Sequence, residues 1–266
     1  MELWWAFLIL GAAVGFFAGL LGVGGGGIMV PILTSLFISL GFSEFQQVHL
    51  ALGTSMAAIV FTSFASARSH HRHRAIVWPA VKALSPGIVA GTFGASLIAA
   101  FIPSLPLAIF FSAFMALVAL QLMLNIKPKP TRQLPGNTAL AGVGLLIGSI
   151  SAVVAIGGGS LTVPFLTWCN VKLQQAIATS AAVGLPIAVS GTIGYVVAGW
   201  HADDLPAGSL GYVYWPAVLL ISAVSFFTAP LGVKLAHRLP VAVLKKIFAL
   251  LIVMLSVKML LAVLNT

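Results

Sequence analysis

Residues 20–31 read LLGVGGGGIMVP, four consecutive glycines inside an otherwise apolar run. Glycine in a helix interior costs about 1 kcal/mol relative to alanine, so a block of four marks a place where the helix stops. The pattern returns at residues 153–164 as VVAIGGGSLTVP. An offset of 133 residues aligns Gly15 with Gly148, Gly24, Gly25 and Gly26 with Gly157, Gly158 and Gly159, Pro31 with Pro164, and Thr34 with Thr167, without a gap. Further landmarks keep the same order. Thr54-Ser55 is answered by Thr179-Ser180, Trp78-Pro79-Ala80-Val81 by Trp215-Pro216-Ala217-Val218, and Leu105-Pro106 by Leu239-Pro240. The chain reads as two copies of one unit, residues 1–126 and 138–266, joined by a polar linker at 127–137.

Composition names the solvent. Of 266 residues 60% are hydrophobic and only 6% are charged, whereas a soluble domain carries about 25% charged residues. The chain lacks the polar groups to cover a water-facing surface, so it belongs in lipid. Its net charge of +9 therefore marks cytoplasmic loops rather than nucleic-acid binding. The single cysteine, Cys169, excludes an internal disulfide and a cysteine-based metal cluster. The opening MELWWAFLIL lacks the basic start of a signal peptide and reads as the first membrane helix.

Each copy holds four apolar stretches: about 4–40, 49–67, 76–101 and 106–125, then about 138–170, 175–199, 212–236 and 240–263. Charge decides how they are threaded. If each glycine-broken stretch crosses once, Lys and Arg split eight against five between the two sides. If each enters and returns on one side, Arg68, Arg72, Arg74, Lys82, Lys127, Lys129, Arg132, Lys172, Lys234, Arg238, Lys245 and Lys246 share one side. Lys258 and all four acids (Glu2, Glu44, Asp203 and Asp204) fall on the other. That asymmetry is the one the positive-inside rule expects. The predicted fold class is thus an all-α polytopic membrane protein of two inverted-topology repeats. Each repeat is a glycine-broken helical hairpin plus three transmembrane helices, and both termini lie outside.

Inside a hairpin the glycine turn lies at membrane depth, where freed backbone groups need a protein-buried or water-lined setting. The spacing predicts return helices that begin at Gly27 and at Ser160, with serine as an N-cap and Pro31 and Pro164 near the first turn. Two helix N-termini then meet near the middle of the bilayer. Each carries roughly +0.5 charge and unpaired N–H groups, which suits a small anion without a buried cation. The predicted substrate-binding residues are Gly24, Gly25, Gly26, Gly27 and Ile28 of the first copy, and Gly157, Gly158, Gly159, Ser160 and Leu161 of the second. Thr54, Ser55, Thr179 and Ser180 add hydroxyls, with back-bonding to the preceding turn as the alternative use, and Gln175 is within reach of a cavity, with loop polarity as its alternative. Scattered glycines such as Gly87, Gly91, Gly94 and Gly191 are expected to serve close helix packing instead.

The stretches GLLGVGGGGIMVPIL and GSISAVVAIGGGSLTVPFL resemble the TauE/SafE family of membrane permeases, also called sulfite exporters. The resemblance covers both halves. It implies transport of small sulfur oxyanions or organosulfonates, such as sulfite or sulfoacetate, across a bacterial plasma membrane. The residues alone reach "anion"; the sulfur comes from the resemblance.

Other clusters carry less. RSHHRHR at 68–74 lacks a Cys, Asp or Glu to complete a metal site, and its arginines repel a cation, so it is expected to anchor on anionic lipid. His49 is expected to be solvated at the outer interface, Gln46, Gln47 and Gln174 to be loop polarity, and Asp203 and Asp204 to be solvated. Trp4, Trp5, Trp78, Trp200 and Trp215 fit an interfacial aromatic belt. No Ser/His/Asp constellation or phosphate loop appears, so the protein is not read as an enzyme. No cofactor is called for. A secondary transporter working by alternating access is the leading reading, with an anion channel or a uniporter for another small anion as the alternative. Coupling to a proton, to sodium, or to no ion at all is compatible with the sequence, as are a monomer and a homo-oligomer.

Overall fold

A computed structural model describes residues 4–21, 25–124, 132–236 and 241–264. Gly24, the linker residues 127–131 and the cation Arg238 lie outside the described residues. Those described form ten helices: α1 (Trp4–Leu21), α2 (Gly26–Ser39), α3 (Gln47–Arg72), α4 (Trp78–Ala99), α5 (Ser104–Met123), α6 (Asn137–Val154), α7 (Gly159–Trp168), α8 (Leu173–Ala198), α9 (Trp215–Ala236) and α10 (Val241–Leu264). A two-residue ribbon, β1 (Ser209–Leu210) paired antiparallel with β2 (Val213–Tyr214), precedes α9. Seven helices (α3, α4, α5, α6, α8, α9 and α10) are long and apolar enough to cross a bilayer. The protein is an all-α polytopic membrane protein. The two glycine-broken stretches resolve into the helix pairs α1–α2 and α6–α7, interrupted where the glycines fall.

Small residues set the closest crossings, as expected where lipid offers no hydrophobic drive between helices. On α1, a Cβ on Gly11 would lie 2.5 Å from the Ile221 carbonyl oxygen of α9, and one on Gly15 would lie 2.6 Å from that of Ser225. On α6, a Cβ on Gly144 would overlap the Leu84 carbonyl oxygen of α4, and one on Gly148 would lie 2.5 Å from that of Ile88. The offset that maps Trp78 onto Trp215 maps Leu84 onto Ile221 and Ile88 onto Ser225. One helix crossing therefore occurs twice, α1 on α9 and α6 on α4, with the two helices of each pair running parallel. Gly87, Gly91 and Gly191 also pack closely, against Ala141, Leu145 and Met56. Gly94 does not: nothing lies within 4 Å of its would-be Cβ.

These contacts fix the ends of the bundle. At the end carrying Glu44, Asp203 and Asp204, the ring of Tyr214 packs on Phe37 and Phe42, at 5.8 and 5.4 Å. The end of α2 thus lies beside the start of α9, and α1, parallel to α9, begins at that same end. At the opposite, basic end, the Arg132 guanidinium sits 4.8 Å over the Trp168 ring, and the backbone N–H of Arg132 donates to the Trp168 carbonyl at 3.3 Å. There α6 begins and α7 finishes. Arg68, Arg72, Arg74, Lys82 and Lys172 gather at this end by their places in α3, α4 and the start of α8.

Two expectations at the acidic end fail. His49 is 3% exposed rather than solvated, and its Nε2 lies 3.2 and 3.0 Å from the Ala99 and Ile102 carbonyl oxygens. Gln47 is 1% exposed, and Gln46 donates to the Asp203 carbonyl. The reason is tertiary. Carbonyls at and just past the end of α4 lack helical partners, and α3 starts against them, so the His49 ring rather than water meets them, while Gln46 serves the loop carbonyl of Asp203. At the basic end, His70 is buried and the His71 ring stands edge-on to Trp78 at 5.6 Å.

Candidate functional site

The two glycine turns have one geometry. Gly25 and Gly158 are the N-caps of α2 and α7, with φ of 79° and 82°. This left-handed conformation is one that glycine alone adopts freely. The Gly25 carbonyl accepts from Ile28 and Met29 (3.1 and 3.0 Å), and the Gly158 carbonyl from Leu161 and Thr162 (3.2 and 2.7 Å). The return helices therefore start at Gly26 and Gly159, one residue before the expected Gly27 and Ser160. Ser160 is not a cap: neither N-cap makes a side-chain bond, because the turn needs a left-handed residue there and serine resists it. Pro31 and Pro164 sit inside the helices, in their second turn. They leave the carbonyls of Gly27 and Ser160 without an i+4 donor.

Both turns lie deep in the bundle. A Cβ on Gly158 would lie 2.8 Å from Ile187 Cδ1, and one on Gly184 would lie 2.8 Å from the Gly157 carbonyl oxygen. Gly184 and Ile187 stand midway along α8. On the other side a Cβ on Gly27 would lie 3.2 Å from Met115 Sδ and 3.6 Å from Ile252 Cγ2, midway along α5 and α10. The turns also touch each other. A Cβ on Gly26 would overlap the carbonyl oxygen of Ala155, the left-handed residue (φ 48°) that ends α6. Ala155 and Ile156 are buried, as are Gly25, Gly26 and Gly27.

The electrostatics are set by backbone. No Lys, Arg, Asp or Glu is buried among the described residues. The amides of Gly26, Gly27, Gly159 and Ser160 precede the first intrahelical donors, Ile28 and Leu161, and donate to no described group. Each helix start therefore presents bare N–H groups and the positive end of its dipole.

Hydroxyls distinguish the two turns, and the sequence reading missed two of them. Ser151 Oγ, Ser160 Oγ and Thr162 Oγ1 are buried without a hydrogen-bond partner. Thr162 Oγ1 lies 3.3 Å from the would-be Cβ of Gly158. The offset of 133 maps these three onto Ala18, Gly27 and Met29. Comparing the two copies position by position would have found them. A third omission is Tyr195, fully buried, whose hydroxyl donates to the Ala152 carbonyl at 3.0 Å and holds the end of α6.

The other expected site residues divide. Ser55 Oγ is buried and unpartnered. Ser180 donates back to the Ile177 carbonyl at 2.8 Å. Thr54 Oγ1 accepts from the Tyr214 N–H and Thr179 Oγ1 from the Val77 N–H, both at 3.0 Å. Gln175 lies in the first turn of α8, about 14 Å along the helix from Gly184 at 1.5 Å per residue, and is not part of the central cluster.

Two features offer no competing chemistry. A cavity of about 530 Å³ between α4 and α8 is walled by apolar side chains, among them Val89, Phe93, Leu185 and Ile193. Its one hydroxyl, on Ser190, is spent on the Val89 carbonyl at 2.8 Å. The Cys169 thiol is pushed up by burial against an opposing pull from Arg132, the reverse of an activated nucleophile.

The family model described as "Sulfite exporter TauE/SafE" matches residues 7–259. A "Probable membrane transporter protein" of Haemophilus influenzae is 40% identical over 254 residues, covering 95% of this chain and 96% of its own. The "Probable membrane transporter protein MJ0441" of Methanocaldococcus jannaschii is 27% identical, with 87% and 86% covered. The "Probable membrane transporter protein YdhB" of Bacillus subtilis is also 27% identical, with 87% and 90% covered. No solved structure matches significantly. With seven membrane-length helices among its described residues and a match along nearly all its length, the chain is a multi-pass membrane transporter protein of the TauE/SafE sulfite exporter family.

Proposed function

We propose that the protein is a secondary transporter that carries a small sulfur-containing oxyanion or organosulfonate across a bacterial plasma membrane by alternating access. One observation carries the reading: two glycine-capped helix starts with bare amides abut at the centre of the bundle, and no charged side chain is buried there. Such amides attract an anion without binding it as tightly as a buried lysine would, so it can also leave. The sulfur rests on the family. The repeats 1–126 and 138–266 are read as inverted copies around the linker, supported by the doubled α1–α9 and α4–α6 crossing. Both termini lie outside, on the charge asymmetry.

The anion sits between the tips, on the amides of Gly26, Gly27, Gly159 and Ser160 and the hydroxyls of Ser55, Ser160 and Thr162. A hydrogen bond to a charged group is worth about 1.5–3 kcal/mol, so a few of them offset the loss of water. The halves then rock about the tips and expose the seat to the other side. Among the described residues no carboxylate is buried to carry a coupling proton.

The test is a binding screen of the purified protein against sulfite, sulfate, sulfoacetate, taurine, thiosulfate and carboxylates. Sulfite or a sulfonate binding ahead of the carboxylates is expected; carboxylates binding ahead, or no oxyanion binding, overturns the substrate. Because two of these hydroxyls, on Ser160 and Thr162, lie on the second tip, Thr162→Val is expected to weaken binding roughly tenfold, about one charge-assisted hydrogen bond. Met29→Leu at the matching position leaves binding intact. Thermal unfolding without anion is not lowered by Thr162→Val, since the hydroxyl it removes has no partner. Unchanged anion affinity in Thr162→Val places the seat elsewhere.

A further inference from the structure

Thr54 and Thr179 occupy matching places in the two copies, and each is fully buried. Each hydroxyl oxygen is taken by a backbone N–H of the opposite half. Tyr214, just before Trp215-Pro216, donates to Thr54; Val77, just before Trp78-Pro79, donates to Thr179; both bonds are 3.0 Å. The donors are again equivalent positions under the offset that relates the two Trp-Pro pairs. The bonds sit towards opposite ends of the bundle. Thr54 is eighth in α3, counted from the acidic end, and Thr179 is seventh in α8, counted from the basic end. The abutting tips lie between them. At the acidic end the Tyr214 ring is clasped by Phe37 and Phe42.

We propose that Thr54 and Thr179 are a pair of end-specific latches that hold the two halves together, Thr54 at the acidic end and Thr179 at the basic end. Both are closed here, so this is an occluded arrangement. The proposal rests on the alternating-access reading above. A rocking motion about the tips separates the halves at one end and keeps them together at the other. It must therefore break one latch and keep its counterpart. Thr54 and Thr179 are positioning residues: their oxygens are spent on holding the opposite half, and no contact with the anion is required of them.

The test uses the full-length protein with Cys169→Ser and one reporter cysteine, at Ala51 or at Ala176. Each is fully buried and lies one turn closer than its latch to the nearer end. Labelling by a membrane-impermeant maleimide reads how often that end opens. Thr54→Val removes the acceptor while keeping the shape. It is expected to raise labelling at position 51 about tenfold, the factor for one lost buried hydrogen bond, and not at 176. Thr179→Val does the reverse. Thr54→Ser and Thr179→Ser, which keep the oxygen, restore the original rates. If a valine variant does not fold, the alanine variant carries the same comparison.

Equal rises at both reporters, or none at either, overturn the latches. The two failures are distinguishable. If the latches fail but sulfite still changes wild-type labelling at the two reporters in opposite directions, alternating access stands. If sulfite moves neither reporter, alternating access fails and takes the latches with it.

Discussion

Replacing Gly26 with alanine is expected to reduce anion transport about a hundredfold while leaving a folded, membrane-inserted protein. The added methyl would overlap the Ala155 carbonyl oxygen, and neither partner can yield by a rotamer change because both are backbone. The tips must part by an ångström or more. Displacement on that scale among oriented donors costs about two powers of ten in rate. Helix propensity works the other way, since alanine at a helix start is at least as good as glycine, so a loss cannot be blamed on the helix. Gly94→Ala is the control. It lies mid-helix with open space around it, and the same substitution there leaves transport unchanged. Initial uptake rates in proteoliposomes, normalised to inserted protein, make the comparison. A Gly26→Ala rate equal to that of Gly94→Ala shows that tip contact is irrelevant to transport.

Substitution of Gly158 has the second large effect, and its ranking is diagnostic. The residue is held at φ 82°, where a β-branched side chain is strongly disfavoured and asparagine is tolerated. A Cβ there also meets Ile187 Cδ1 at 2.8 Å and points towards Thr162 Oγ1. Backbone strain of this kind is worth about 1–3 kcal/mol. It rotates the amides of Gly159 and Ser160 away from a shared target. Binding is expected to fall in the order Gly158→Asn, Gly158→Ala, Gly158→Val, with the valine variant showing no measurable affinity. Gly25→Val added to it, against Val14 Cγ1 at 2.5 Å, removes the second turn as well. Titration of sulfite by calorimetry reads the series. Affinity independent of the side chain at 158 means that the turn does not hold the anion.

Much of this architecture was legible because periodicity and composition act on whole segments. The broken stretches at 4–40 and 138–170 needed only the glycine blocks to be cut into α1–α2 and α6–α7. The crossings of Gly11 and Gly15 with α9 were not legible, since small residues do not name their partner. The helix starts were misplaced by one residue. Ser160 looks like a cap by type, but the cap position demanded a left-handed residue, and only backbone geometry shows that Gly158 fills it. His49 was read as solvated because it opens a membrane helix. The end of α4, some fifty residues away in sequence, supplies the carbonyls that bury it. Thr54 and Thr179 were singled out by their repetition, yet the amides of Tyr214 and Val77 that occupy them are long-range partners no local pattern encodes.

The proposed transport cycle needs two helical pairs that enter from opposite faces and reach each other in the middle. Sidedness in sealed membrane vesicles tests it most directly. With Cys169→Ser as background, single cysteines at Glu44 and at the N-terminus report the ends of the first pair; cysteines at Leu134 and Lys172 report those of the second. The predicted result is that the N-terminus and position 44 label from one side only, and positions 134 and 172 from the other side only. Position 44 labelling from the face opposite the N-terminus, or 134 and 172 from different faces, would mean that the pairs cross the membrane outright, and the central anion seat would be lost with them.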